Sequence, residues 1–247
     1  MDLRKESKAM NTFFFSEKIL STNEDVRGTP YTVKDQFTIS QAQMNQEYAI
    51  LMDVLYNMVV EKYALTPKQA SDITLVDIQY LLAKLKLNSD SESIPVVVKC
   101  ENCGLEYSKN ILINDIHVEN YENFKRNITI PSREGAEKDI IISIKVTSFM
   151  VNKDIILGVK ELSEESMIEN VLNSIDSVTI GDETKTDFDR DELREFILSL
   201  PAKFVVDVED FIRNSPKLIY SKTLTCEDKE CGFEQEVAIQ QFFFSLV

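Results

Sequence analysis

The sequence predicts an α+β protein: a helical hairpin joined to a ribbon built on two cysteine turns, with a second α+β lobe inserted into it. Three observations lead there. The apolar period switches along the chain between two and about 3.6 residues. The four cysteines fall into two pairs, each set between β-prone runs. The 122 residues that separate the pairs carry strand and helix patterns of their own. The expected core is therefore residues 1–113 with 220–247, and the expected insert is 114–219.

The elements follow in order. Residues 1–29 are polar apart from Phe13-Phe14-Phe15, a triplet that packs on its own domain or docks on a partner. Residues 30–39, PYTVKDQFTI, alternate and predict a strand. From Ser40 the period changes. Met44, Tyr48, Leu51, Met52, Leu55, Val59 and Tyr63 recur at helical spacing, with Ser40 as N-cap and Pro67 closing the segment. A second helix is expected over 74–87, capped by Asp72 or Thr74, with Leu75, Ile78, Leu81, Leu82 and Leu85 on one face. Both stripes read as core of an αα-hairpin.

Strands are expected at 94–99 and 105–113. Within the insert, NITIP and DIIISIKVTSF read as strands, and Glu164 to Ile175 as a helix. After the polar stretch 181–191, Asp189 and Glu192 stand at capping-box spacing and start another helix. Pro201 at a first helical position begins the next, through Phe204, Val205, Val208, Phe211 and Ile212. EVAIQQFFF closes the chain as a strand. Its Phe242 to Phe244 cluster is sheet core if paired and an interaction patch if exposed.

The cysteines carry the clearest chemistry. Cys100 and Cys103 are C-x2-C followed by Gly104; Cys226 and Cys231 are C-x4-C followed by Gly232. Such a turn aims backbone N–H groups at thiolate sulfur, and the glycine supplies the positive φ the turn needs. Two turns together supply the four ligands of a tetrahedral zinc ion. The reading is a split zinc ribbon holding one structural Zn2+ per chain, because four thiolates leave no open position for water or substrate. The other readings are reduced core cysteines and a redox pair. Glu227, Asp228 and Glu230 inside the second turn are spare ligands or a solvated loop.

Composition excludes several functions. Basic residues number 27 and acidic ones 42, for a net charge of −15, which argues against nucleic acid or an anionic membrane as main partner. No run of 18 apolar residues predicts a membrane span, and the N-terminus lacks a signal-peptide pattern. A reducing cytoplasm is expected, where paired cysteines serve metals more than disulfides. With one histidine, any triad would have to be built around His117. Asp187, Asp189 and Asp191 alternate like a calcium loop, but Glu192 and Leu198 stand where glycine and a bidentate glutamate are required. They read as a helix cap. No phosphate-loop, dinucleotide, zinc-protease or nucleophile-elbow motif occurs, and the expectation is a protein that is not an enzyme.

From Pro30 to Ile116 the order of elements is recognisable. A leucine-rich helix bearing Leu75, Asp77, Ile78, Tyr80, Leu81 and Leu85 is followed by a strand and by Cys100 and Cys103. In this the chain resembles the T4-type bacteriophage baseplate protein family, small proteins of the baseplate hub or of its assembly. The resemblance covers roughly the first half. It implies a non-enzymatic role in viral tail assembly through contacts with baseplate hub subunits, in the host cytoplasm or in the virion tail. The alternative is a zinc-ribbon adaptor that binds a non-viral protein.

Overall fold

A computed structural model describes residues 13–44, 48–132, 138–156 and 163–239. In chain order its elements are β1 (Phe15–Ile19), β2 (Glu24–Gly28), α1 (Val33–Met44), α2 (Tyr48–Lys62), α3 (Pro67–Asp72), α4 (Leu75–Leu87), β3 (Ser93–Lys99) and β4 (Glu106–Leu112). Then come β5 (His117–Glu119), β6 (Lys125–Ile130), β7 (Ile140–Lys145), α5 (Phe149–Ile156), α6 (Glu164–Ser174), β8 (Ile175–Ile180) and β9 (Glu183–Lys185). The last are α7 (Arg190–Leu198), α8 (Lys203–Arg213), β10 (Lys217–Thr225) and β11 (Glu234–Ile239). This is an α+β chain whose strands all pair antiparallel. It divides into two units, residues 1–119 with 217–247, and residues 120–216. Residues 114–119 and 217–219 belong to the first unit because β5 pairs with β10.

The first unit starts with a hairpin, β1–β2, that the sequence pattern does not announce. The Phe triplet divides here. Phe15 stands edge-on to Tyr63 at 5.7 Å, while Phe13 and Phe14 are exposed. Residues 30–39, expected as a strand, instead open α1. A cap overrides their alternation: Asp35 N–H donates to Thr32 Oγ1 at 3.4 Å, and Thr32 N–H donates to the Asp35 carboxylate at 2.6 Å. Lys62 adds an ion pair to that carboxylate at 2.5 Å. The long helix expected from Ser40 is thus α1 and α2, and Ser40 lies inside α1 rather than capping a helix. Pro67, expected only to end a helix, is the first residue of α3, capped by Thr66.

α4 lies where expected, with Thr74 as its cap. Its Ile78, Leu81 and Leu85 are fully buried, and it packs on β1 and β10. The Tyr63 hydroxyl, just past α2, donates to the Leu81 carbonyl at 2.8 Å and ties the two helices. β3 and β4 form a hairpin in which Ile94, Val96 and Val98 point inward, and Pro95, Val97 and Lys99 outward. A three-stranded sheet, ordered β11-β10-β5, completes the unit.

The second unit is a four-stranded sheet, β6-β7-β8-β9, covered by helices. Its core gathers Ile128, Ile142, Ile144, Val178, Phe204 and Phe211. Three expectations change here. DIIISIKVTSF is not one strand, since β7 ends at Lys145 and α5 begins at Phe149. The helix expected to reach Ile175 stops at Ser174, and Ile175 opens β8, where β-branched Ile175, Val178, Thr179 and Ile180 favour a strand. Pro201 precedes α8 instead of starting it, its carbonyl accepting from Phe204 N–H at 2.8 Å in a tight turn. Phe204, Val208 and Phe211 face the core; Val205 and Ile212 face solvent.

Asp189 caps α7 through the N–H groups of Asp191 and Glu192, but Glu192 turns to Lys185 and leaves the capping box half made. His117 is exposed in β5. Phe242 to Phe244 lie outside the described residues. No helix among the described residues is long and apolar enough to cross a membrane.

Candidate metal centre

β3–β4 and β10–β11 end in turns built the same way. Cys100 N–H donates to Leu105 O at 2.8 Å, and Cys226 N–H donates to Phe233 O at 2.8 Å. Each bond closes a hairpin whose loop carries the second cysteine. Gly104 and Gly232 follow those cysteines with φ of +75° and +53°. A Cβ at either would meet nothing within 4 Å, so backbone conformation rather than space requires glycine there.

The four sulfurs converge. Cys100 Sγ lies 3.8 Å from Cys231 Sγ, and Cys103 Sγ lies 3.7 Å from Cys226 Sγ. All four lie within 4.8 Å of one another. These separations are far beyond the S–S bond of a disulfide, about 2.0 Å. Cys100 and Cys226 are buried, Cys231 is half-buried and Cys103 is exposed. Each close pair joins one turn to the other, so an ion held here would staple the two hairpins together.

Electrostatics favour a cation. The Cys103 N–H, and then that of Asn102, reach the Cys100 sulfur and bring its pKa down to about 7 against the opposing effect of burial. Burial pushes Cys226 up to about 12, with the other thiols adding to the rise. Leu105 N–H lowers Cys103, but burial and the thiols of Cys100 and Cys231 leave it raised. Four sulfurs this close cannot all ionise without a positive charge among them. The donor set therefore fits a metal ion, and Cys100, Cys103, Cys226 and Cys231 are the residues placed to hold it.

Two polar residues that the spacing of cysteines does not signal complete the site. Gln235, in β11, accepts from Glu101 N–H at 2.8 Å and donates to Lys99 O at 2.9 Å, clasping the first turn from both sides. Asn102 Nδ2 donates across to Cys231 Sγ at 3.3 Å. The acidic residues of the second turn are not part of the cluster: Glu227 pairs with Lys109, and Asp228 accepts from Glu230 N–H. Neither His117 nor the Asp187–Asp191 stretch contributes to it.

Comparison with known proteins identifies the family. No curated protein and no solved structure matches the chain. A family model described as T4 bacteriophage base plate protein matches residues 10–244, which takes in both units and all four cysteines. The match reaches well past the first half of the chain, and the protein belongs to the T4 bacteriophage base plate family.

Proposed function

We propose that the protein builds the baseplate hub of a contractile phage tail by binding other tail proteins, without catalysis, on a fold pinned by a structural zinc ion. The observation that carries the reading is the family match across residues 10–244. Work in the host cytoplasm during assembly, or in the tail baseplate itself, follows from that setting.

The sulfur geometry supports zinc. Four sulfurs each about 2.3 Å from a tetrahedral zinc lie about 3.8 Å apart. Two of the pairs between the turns stand at 3.8 and 3.7 Å, and all four sulfurs lie within 4.8 Å of one another. Thiolates are soft donors that select zinc or iron over magnesium or calcium. Four of them close the coordination shell, so the ion supplies cross-linking rather than chemistry on a substrate. The two cysteine hairpins then read as the halves of a zinc ribbon.

The test is affinity purification from infected cells, with mass spectrometry of assembly intermediates and finished particles. Hub subunits in the intermediates are expected. Absence from particles makes the protein an assembly factor, and a fixed copy number makes it a hub component. Recovery of no tail protein at all overturns the reading. Metal analysis of chelator-free protein should give about one zinc per chain; a folded, reduced and metal-free protein would sink the zinc assignment.

A further inference from the structure

The second unit carries a cleft of about 550 Å³ between the β8–β9 hairpin and α7. Val178 and Leu193 are buried at its floor, and Ile180, Phe188 and Phe196 form apolar walls. Beside it runs β9, the last strand of its sheet, with all three residues exposed. Among the described residues no strand pairs with the outer edge of β9. An unpaired strand edge next to an apolar cleft is the arrangement that accepts an extended peptide: backbone pairing holds it, and alternate side chains enter the cleft.

The rim says what kind of peptide. Residues 182–192 carry six carboxylates against two cations. Arg190 turns away to Glu169. Lys185 bridges to Glu192 at 2.8 Å, with its ammonium 5.9 Å from the Phe188 ring centroid. Glu183 and Glu192 both line the cleft, so an arriving lysine or arginine meets carboxylates on either side and can replace Lys185 at Glu192. A second copy of this chain would bring its own net charge of −15 to the same acidic rim.

We propose that this cleft receives an extended segment of another tail protein, in which an apolar side chain is flanked by lysine or arginine and the backbone adds to β9. The proposal rests on the reading of the protein as a binder of tail proteins, and names the surface and the chemistry of the partner.

The experiment uses the full chain with a photo-crosslinking amino acid at Thr184, expressed in infected cells, and sequences the linked peptides by mass spectrometry. The expected product is a tail-protein segment with an apolar residue between basic ones. Its yield should fall about tenfold in the rim variant E183K/E192K, and likewise in Ile180→Lys, which charges the apolar wall. Melting curves of both variants are taken alongside, and whichever keeps the parent curve decides. An uncharged or acidic segment, or a second copy of this chain, overturns the proposal. The affinity purification above is run on the same cells. Tail proteins recovered there with none linked at position 184 overturn the cleft and leave the function standing; none in either experiment overturns both.

Discussion

Ser21 gives Asp77 both of its donors, the backbone N–H to Oδ1 at 2.9 Å and the hydroxyl to Oδ2 at 2.6 Å. Thr74 adds its N–H at 2.8 Å and its hydroxyl at 2.6 Å. The carboxylate is fully buried, with no ion-pair partner among the described residues. Four donors take the place of water around it, and the α4 N-terminus adds favourable potential. The pair thereby locks the β1–β2 turn onto the start of the central helix.

Removing the acceptor should therefore cost far more than removing one donor. Asp77→Ala leaves the buried Thr74 N–H and the half-buried Ser21 N–H unpaired, with both hydroxyls, and should destabilise by about 4 kcal/mol. Ser21→Ala keeps the backbone donor and should cost about 1 kcal/mol. Urea unfolding of the two variants checks this. Equal losses would mean that the Ser21 hydroxyl, not the whole network, holds the turn.

The Asp35–Lys62 pair predicts an acid limb in stability. Burial raises the Asp35 carboxyl, but Lys62 and Thr32 outweigh it and hold the group below its ordinary value. A carboxyl lowered on folding contributes stability that is complete above its unfolded pKa, about 3.9. That contribution is lost as pH falls through the lower folded value. Unfolding free energy measured from about pH 5 downward should decline more steeply in the parent than in Lys62→Met. Parallel declines would remove the pair from the account of acid sensitivity.

Gly104 and Gly232 differ in kind from Gly28. Alanine at the first two meets open space and only an unfavourable positive φ, so each change should cost about 1 kcal/mol. Metal affinity should weaken about fivefold in chelator competition. At Gly28 a Cβ would fall 2.5–2.7 Å from the rings of Phe15 and Tyr63. Gly28→Ala should lower folding stability and leave the metal affinity of the folded protein unchanged.

Tyr107 is buried, and its hydroxyl has no hydrogen-bond partner among the described residues. Burial pushes its phenol above the usual range, and the nearby thiols of Cys226 and Cys100 add to that. An unpaired buried hydroxyl contributes nothing to offset its lost hydration. Tyr107→Phe should thus be neutral, or stabilising by up to about 1 kcal/mol, in chemical unfolding. A loss of more than about 1 kcal/mol would place an ordered water or another partner on that oxygen.

What the sequence discloses depends on how local the determining forces are. The α4 stripe and its Thr74 cap are legible because helical period and cap lie within one segment. The convergence of the four cysteines is legible because the turn chemistry repeats at both ends of a long separation. PYTVKDQFTI misleads because its alternation is apparent while the decisive Thr32–Asp35 cap is polar, and Lys62, which reinforces it, arrives from another helix. β1 and β2 are hidden for a related reason. Each has five residues, and its stability comes from Asp77 and Tyr63, which are distant in sequence.

Gln235 shows the same limit at the metal centre and allows a separation of roles. Its side-chain amide mimics a strand backbone, accepting from Glu101 N–H and donating to Lys99 O on either side of Cys100. It touches no sulfur in this arrangement, so its action on an ion is through the position of the first turn. Gln235→Ala leaves the part-buried Glu101 N–H and Lys99 O without their partner, and should cost about 2 kcal/mol of stability. It should also weaken metal binding by about tenfold, the usual scale for a residue supporting ligands from outside the coordination shell. Gln235→Glu keeps the acceptor for Glu101 N–H but sets a carboxylate against Lys99 O, so it should rescue little. Cobalt substitution separates the two effects. The thiolate-to-cobalt charge-transfer band of Gln235→Ala should keep its four-sulfur intensity at saturating metal while its half-saturation moves. A loss of intensity instead would mean that Gln235 decides which sulfurs bind, and not only how firmly the turn holds them in place.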